Sequence, residues 1–136
     1  MPEVLPPAGD PAERHVFVYG TLRRGAANDI TRLRPAPRFV GTATLAGTLY
    51  HLGGYPGLVL GGARAVAGEV YAIGPEVERR VDEIEEVYPQ QHDEYFKRTV
   101  AVAVAGRRLD CIVYEINPRY LASAPVIDSG DWLSTS

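Results

Sequence analysis

Only one stretch of this chain repeats its apolar residues with a helical period, and the segments around it read as strands, so the fold has to be mixed. In residues 75–86 (PEVERRVDEIEE), Val77, Val81 and Ile84 fall within a narrow arc when turned about 100° per residue. Such an arc must pack on a core. Measured from its centre, Glu85 lies roughly 70–80° away, whereas Asp82, Glu83 and Glu86 lie further round towards the opposite side. Glu85 is therefore the carboxylate closest to the apolar seam. A carboxyl held there loses hydration, and desolvation favours its protonated form, the condition in which one group can both take and give a proton near neutral pH. Two readings stand: a general acid/base, or an edge carboxylate that reaches back to solvent.

The remaining segments supply the sheet. Residues 15–19 (HVFVY) read as a buried strand ending at Gly20, followed by a loop through Gly25, and Asn28 or Asp29 is suited to cap a short helix running to Leu33. Residues 38–45 and 47–52 read as strands around Gly47, residues 53–57 as a turn, and 58–60 and 65–73 as further extended runs. Residues 96–104 and 109–116 read as a hairpin joined by Ala105-Gly106-Arg107-Arg108. About six strands with one inserted helix describe an α+β domain of mixed or antiparallel sheet, and closure into a small β-barrel with flanking helices is expected. Residues 1–13, with four prolines and little periodicity, read as a flexible lead-in to one domain over 14–136. The lone tryptophan, Trp132, calls for the C-terminal segment to pack back on that domain.

Charge and composition narrow the partners. A net charge of −3 argues against nucleic acid or an anionic membrane surface, and no run approaches the roughly 18 apolar residues of a membrane span. The N-terminus carries no basic-then-apolar signal, so a cytoplasmic protein is expected. Cys111 has no partner for a disulfide and sits in an apolar run, the setting of a buried structural thiol. His15, His51 and His92 show no metal-ligand spacing. Eight of the seventeen acidic residues lie between Glu76 and Glu94, but Arg79, Arg80 and Lys97 partly compensate them, so a solvated surface is a better reading than an interaction face. The loop Gly20-Thr21-Leu22 lacks both phosphate-loop and dinucleotide fingerprints. It offers main-chain N–H groups beside a glycine, suited to an anionic oxygen, or else is a turn that merely needs the glycine.

Four short motifs occur in order: Val18-Tyr19-Gly20-Thr21-Leu22, Gly68-Glu69-Val70-Tyr71-Ala72-Ile73, Val81-Asp82-Glu83-Ile84-Glu85 and Tyr95-Phe96-Lys97-Arg98-Thr99-Val100. Together with Tyr55-Pro56-Gly57 and Ser129-Gly130-Asp131-Trp132, this set resembles the gamma-glutamylcyclotransferase-like family, in particular its gamma-glutamylamine cyclotransferase branch and small bacterial relatives. The resemblance implies a small barrel whose Tyr-Gly-Ser/Thr-Leu loop holds a glutamyl moiety and whose glutamate, closing a Leu-Asp-x-x-Glu motif, is catalytic. That position falls on Glu85. It further implies substrate-binding roles for Tyr19, Gly20, Thr21, Leu22, Tyr95 and Tyr114, a small gamma-glutamyl amine or amide as substrate, and no cofactor or metal. The tyrosines are also suited to be plain barrel aromatics, and Arg23 and Arg24 to form a solvated rim. The chain departs from the family after Glu85, where Glu86 stands in place of a common small residue, so the leaving amine is not read from it. The alternative is a binding or regulatory module that keeps the cavity without turnover. Nothing in the pattern assigns an oligomeric state.

Overall fold

The computed structural model describes residues 13–85 and 93–134. Of the expected lead-in over 1–13, only Glu13 is among them, and Glu86 lies outside. Five strands form one sheet: β1 (Arg14–Val18), β2 (Arg38–His51), β3 (Pro56–Ile73), β4 (Tyr95–Val104) and β5 (Arg107–Ile116). The single α-helix among the described residues, α1 (Pro75–Ile84), separates β3 from β4. The strand order is β2-β3-β1-β5-β4. β1 runs parallel to β5, and the other neighbours are antiparallel.

Several boundaries differ from the sequence reading. The runs on either side of Gly47 belong to one strand, as do 58–60 and 65–73. The discontinuities are real but local: Ala46 pairs with Ala65 and Gly47 with Leu60, so residues 61–64 are extruded from the ladder between them. Gly61 and Gly62, at φ +96° and +87°, supply the left-handed backbone that this bulge needs. The β4–β5 hairpin turns on Ala105 and Gly106 alone, both at positive φ (52° and 77°), as a two-residue primed turn requires.

The expected barrel is a curved open sheet. Its edge strands β2 and β4 share no ladder, although they approach so closely that a Cβ on Gly41 would lie 2.9 Å from Val104 Cγ2. Among the described residues the flanking helices are α1 and three short 3-10 turns, Ile30–Arg32, Pro118–Tyr120 and Trp132–Ser134, the first capped by Asp29. Because both faces of β1 and β5 are covered, their residues alternate between two cores rather than between core and water. Phe17, Tyr19, Cys111 and Val113 fill the concave side, while Val16, Val18, Ile112 and Tyr114 pack under Val77 and Val81 of α1. Burial, helped by the charge of Asp110, pushes the Cys111 thiol up to about 11, consistent with a structural residue. The C-terminal segment does fold back. Ile127 N–H donates to Leu49 O, Ala67 N–H donates to Gly130 O, and the Trp132 ring lies 5.2 Å from that of His51.

Candidate active site

The parallel pairing of β1 with β5 brings the C-terminal ends of two central strands to the same edge of the sheet, where α1 also ends. There the chain encloses a cavity of about 280 Å³. Its lining includes Tyr19, Gly20, Thr21, Leu22, Glu85, Tyr95 and Tyr114, so the residues singled out from the sequence, spread over four elements, surround one space. Tyr55, Pro56, Ile84, Asn28 and Glu94 complete much of the wall. Phe17, Tyr19, Gly20, Leu22, Pro56 and Tyr114 are buried and form the floor, and Asn28, Gly54 and Tyr55 are exposed at the rim.

Three tyrosine hydroxyls tie the floor together. Tyr19 donates to the carbonyl of Tyr114 (2.6 Å) and receives the N–H of Leu58 (3.4 Å). Tyr95 donates to the carbonyl of Pro56 (2.8 Å), and Tyr114 donates to the carboxylate of Asp82 (2.6 Å). Burial is the largest cause that raises the pKa of each well above its ordinary value, and Glu85 is among the charges that add to it in all three. They therefore stay neutral throughout the physiological range, their protons committed to protein acceptors. Glu85 sits half-buried among them as the residue that caps α1, its N–H bonded to the carbonyl of Val81 (2.9 Å).

The helical wheel misplaced one neighbour. Asp82, assigned to the far side with Glu83, has a side chain only 13% exposed and holds both Tyr114 and Lys97. Glu78 is similarly covered, bonded to Lys97 (2.6 Å) and Arg14 (3.0 Å). The covered face of α1 extends beyond its apolar arc because Lys97 of β4 reaches across to it, a contact invisible to periodicity. Glu83 is exposed, as expected.

The Gly20–Gly25 loop is held from below. Carbonyls of Gly20, Thr21 and Leu22 accept N–H groups of Arg23, Asn28 and Ile30 at 3.0, 2.7 and 2.9 Å, which folds the loop back while using acceptors, not the amides, of residues 20–22. Arg23 is not a solvated rim residue: it is 8% exposed and anchored to Glu69 (3.0 Å) and Asp131 (2.7 Å). Arg24 is exposed. Glu69, itself buried, also accepts the main-chain N–H of Arg24 (3.0 Å) and the hydroxyl of Tyr71 (2.9 Å), so one carboxylate fixes the loop to β3. Sequence reasoning missed this role, and its trace was the Gly68-Glu69-Val70-Tyr71 motif. A Cβ on Gly20 would lie 2.6 and 2.8 Å from ring carbons of Pro56, so the glycine serves the close approach of loop and wall rather than open space for a ligand. Gly20→Ala is accordingly expected to destabilise by about 1–3 kcal/mol through overpacking, read as a lowered thermal midpoint; an unchanged midpoint would show that Pro56 gives way freely.

Among the described residues no group of three or more His, Cys, Asp or Glu side chains is arranged to hold a metal ion, and no helix is long and apolar enough to cross a membrane.

Comparison with known proteins places this geometry in context. Residues 16–134 match the family model described as gamma-glutamyl cyclotransferase, AIG2-like. The chain is 35% identical over 123 residues to the gamma-L-glutamyl-butirosin B gamma-glutamyl cyclotransferase of Niallia circulans, covering 89% of this chain and 71% of that protein. It is similar in structure to a mouse AIG2-like protein (TM-score 0.69, 26% identity, 85% of this chain and 86% of that one). A second likeness is to an uncharacterized protein of Pyrococcus horikoshii (TM-score 0.61, 27% identity, 88% and 89%).

Proposed function

The chain belongs to the gamma-glutamyl cyclotransferase, AIG2-like family, and from that premise we propose that it converts a gamma-glutamyl amine or amide to 5-oxoproline and a free amine, with Glu85 as general acid/base. The observation that carries this reading is that Glu85 and the Gly20-Thr21-Leu22 loop border the same cavity. A gamma-glutamyl amide contains its own nucleophile. Its alpha-amino nitrogen attacks the gamma-carbonyl carbon, a new C–N bond closes the five-membered ring, and the original amide C–N bond breaks. Water is not consumed, and the step calls for neither a metal nor a cofactor.

What the chain must supply is orientation and one proton carrier. Folding the substrate so that nitrogen meets carbonyl is a proximity effect that can lower the barrier by several kcal/mol. The floor tyrosines Tyr19, Tyr95 and Tyr114 shape that fold but have their hydroxyl protons engaged elsewhere. Glu85 lines the same cavity, and a carboxylate can remove the proton of the attacking nitrogen and return it to the leaving nitrogen. Main-chain N–H groups of residues 20–22 are assigned to the alpha-carboxylate or to the oxyanion that develops on the gamma-carbonyl oxygen. Residues 14–136 are taken as one domain of this family after a lead-in over 1–13, and the cytoplasm, where a lone unpaired cysteine is at home, as its compartment.

Incubation of the protein with a panel of gamma-glutamyl amides is expected to release 5-oxoproline, detected by mass spectrometry. Silence across a broad panel, with binding retained, would instead support a module that keeps the cavity without turnover.

A further inference from the structure

The Gly20–Leu22 loop is tied to the C-terminal segment, residues 127–134, which takes no part in the cavity wall. Arg23 follows directly on the loop, and its buried guanidinium is held on two sides: Nε donates to Glu69 of β3 (3.0 Å) and Nη1 to Asp131 (2.7 Å). A planar guanidinium bonded at one edge can swing about that contact, whereas bonds at two edges hold it in one plane. Asp131 is itself set in a turn. Its N–H donates to Ser129 Oγ (3.2 Å), and its Oδ1, the atom that takes Arg23, also accepts the N–H of Leu133 (3.0 Å). The residue before it, Gly130, has φ +68° and lies against β3: its carbonyl accepts the N–H of Ala67 (2.8 Å), and a Cβ there would collide with the carbonyl oxygen of Ala65. A side chain has no room at that position, so the turn carrying Asp131 is pressed onto the strand that carries Glu69.

We propose that Asp131 is a positioning residue for the reaction: acting through Arg23, it holds the main-chain amides of residues 20–22 in the geometry that receives the glutamyl group. The inference rests on the cyclotransferase reading above. Hydrogen bonds within residues 20–30, such as Arg23 N–H to Gly20 O (3.0 Å) and Asn28 N–H to Thr21 O (2.7 Å), give the loop its shape and would move with it. The contacts of Arg23 with Glu69 and Asp131 fix it against elements outside it. Position matters here, because binding groups displaced by about 1 Å can cost roughly 100-fold in rate. Glu85 caps α1, a different element, so loss of the Asp131 charge should weaken substrate binding and spare proton transfer.

The test compares Asp131→Asn with Val102→Ala. The first keeps an acceptor for the Leu133 N–H, and hence the turn, but removes the charge facing Arg23. The second opens a void in the core at a buried position of β4 outside the cavity wall, so it lowers stability without touching Arg23. Rates are followed as 5-oxoproline release from the panel amide that the wild-type chain turns over best. Asp131→Asn is expected to raise KM roughly tenfold, the scale of one weakened hydrogen bond to a charged group, with kcat within about twofold of wild type. It should also speed hydrogen exchange at the main-chain amides of Arg23 and Arg24, which donate to Gly20 O and Glu69. Val102→Ala should leave KM and the exchange of these two amides near wild type. An equal KM rise in both variants, or an unchanged KM or unchanged exchange in Asp131→Asn, overturns the role of Asp131 and leaves the cyclotransferase reading standing. Release of 5-oxoproline by none of the proteins, wild type included, overturns that reading and the inference with it.

Discussion

Replacing Glu85 by glutamine is expected to lower kcat by about 10²–10⁴-fold, the range for loss of a general acid/base, while KM changes little and the thermal midpoint holds or rises. The amide keeps the size and polarity of the side chain but cannot carry the proton between attacking and leaving nitrogens. Stability is maintained because a half-buried ionisable group gives way to a neutral one. Glu83→Gln is the matched control on the same helix. Glu83 is exposed and makes only a long ion pair with Arg80 (3.7 Å), worth little in water, so both rate and fold should survive. Steady-state rates and melting curves of the two variants decide the matter: equal losses in both would remove Glu85 from the chemistry, and a Glu85 variant that unfolds without a selective rate defect would make it structural.

The largest stability effect is expected at Glu69. Glu69→Ala would leave Arg23 buried, with Asp131 as its remaining partner, and would strip acceptors from the Tyr71 hydroxyl and the Arg24 N–H. Removing one partner of a buried ion pair destabilises by about 3–5 kcal/mol. Asp131, whose side chain is 36% exposed, softens this towards the lower end. In a domain of this size that corresponds to a drop of roughly 10 °C in the thermal midpoint. The loss measures an abandoned charge, not a net gain from the pair, since apolar replacement of both partners can be neutral. The milder Glu69→Gln keeps the volume but turns amide hydrogens towards Arg23, so it should raise KM by releasing the 20–22 loop. A Glu69→Ala protein that melts within about 2 °C of wild type would mean that the network does not hold the loop.

What could be read from the chain follows the range of the forces concerned. The period of Val77, Val81 and Ile84 is local, so it identified α1, and it put Glu85 at the margin of the packed face. Asp82 escaped because its partners, Tyr114 and Lys97, lie 32 and 15 residues away, on β5 and β4. Arg23 escaped for the same reason: its partner Glu69 is 46 residues distant, and a basic residue in a loop looks solvated until that partner is known. Gly47 and Gly61-Gly62 were legible as interruptions but not as bulges within longer strands, because the ladder that spans them is made by the opposite strand. Barrel closure was over-read. Strand alternation reports which faces are covered, and in β1 and β5 both are, but it does not report whether the edges pair. The candidate site was legible largely through the ordered motifs, three of which contribute residues that line one cavity.

The central claim is intramolecular cyclisation, and an oxygen label tests it most directly. Turnover of a gamma-glutamyl amide in water enriched in ¹⁸O, analysed by mass spectrometry, should give 5-oxoproline without the label, because the gamma-carbonyl keeps its own oxygen while nitrogen replaces nitrogen. Glutamate carrying ¹⁸O in its gamma-carboxyl group, with no 5-oxoproline, would show that water is the nucleophile and would contradict the account.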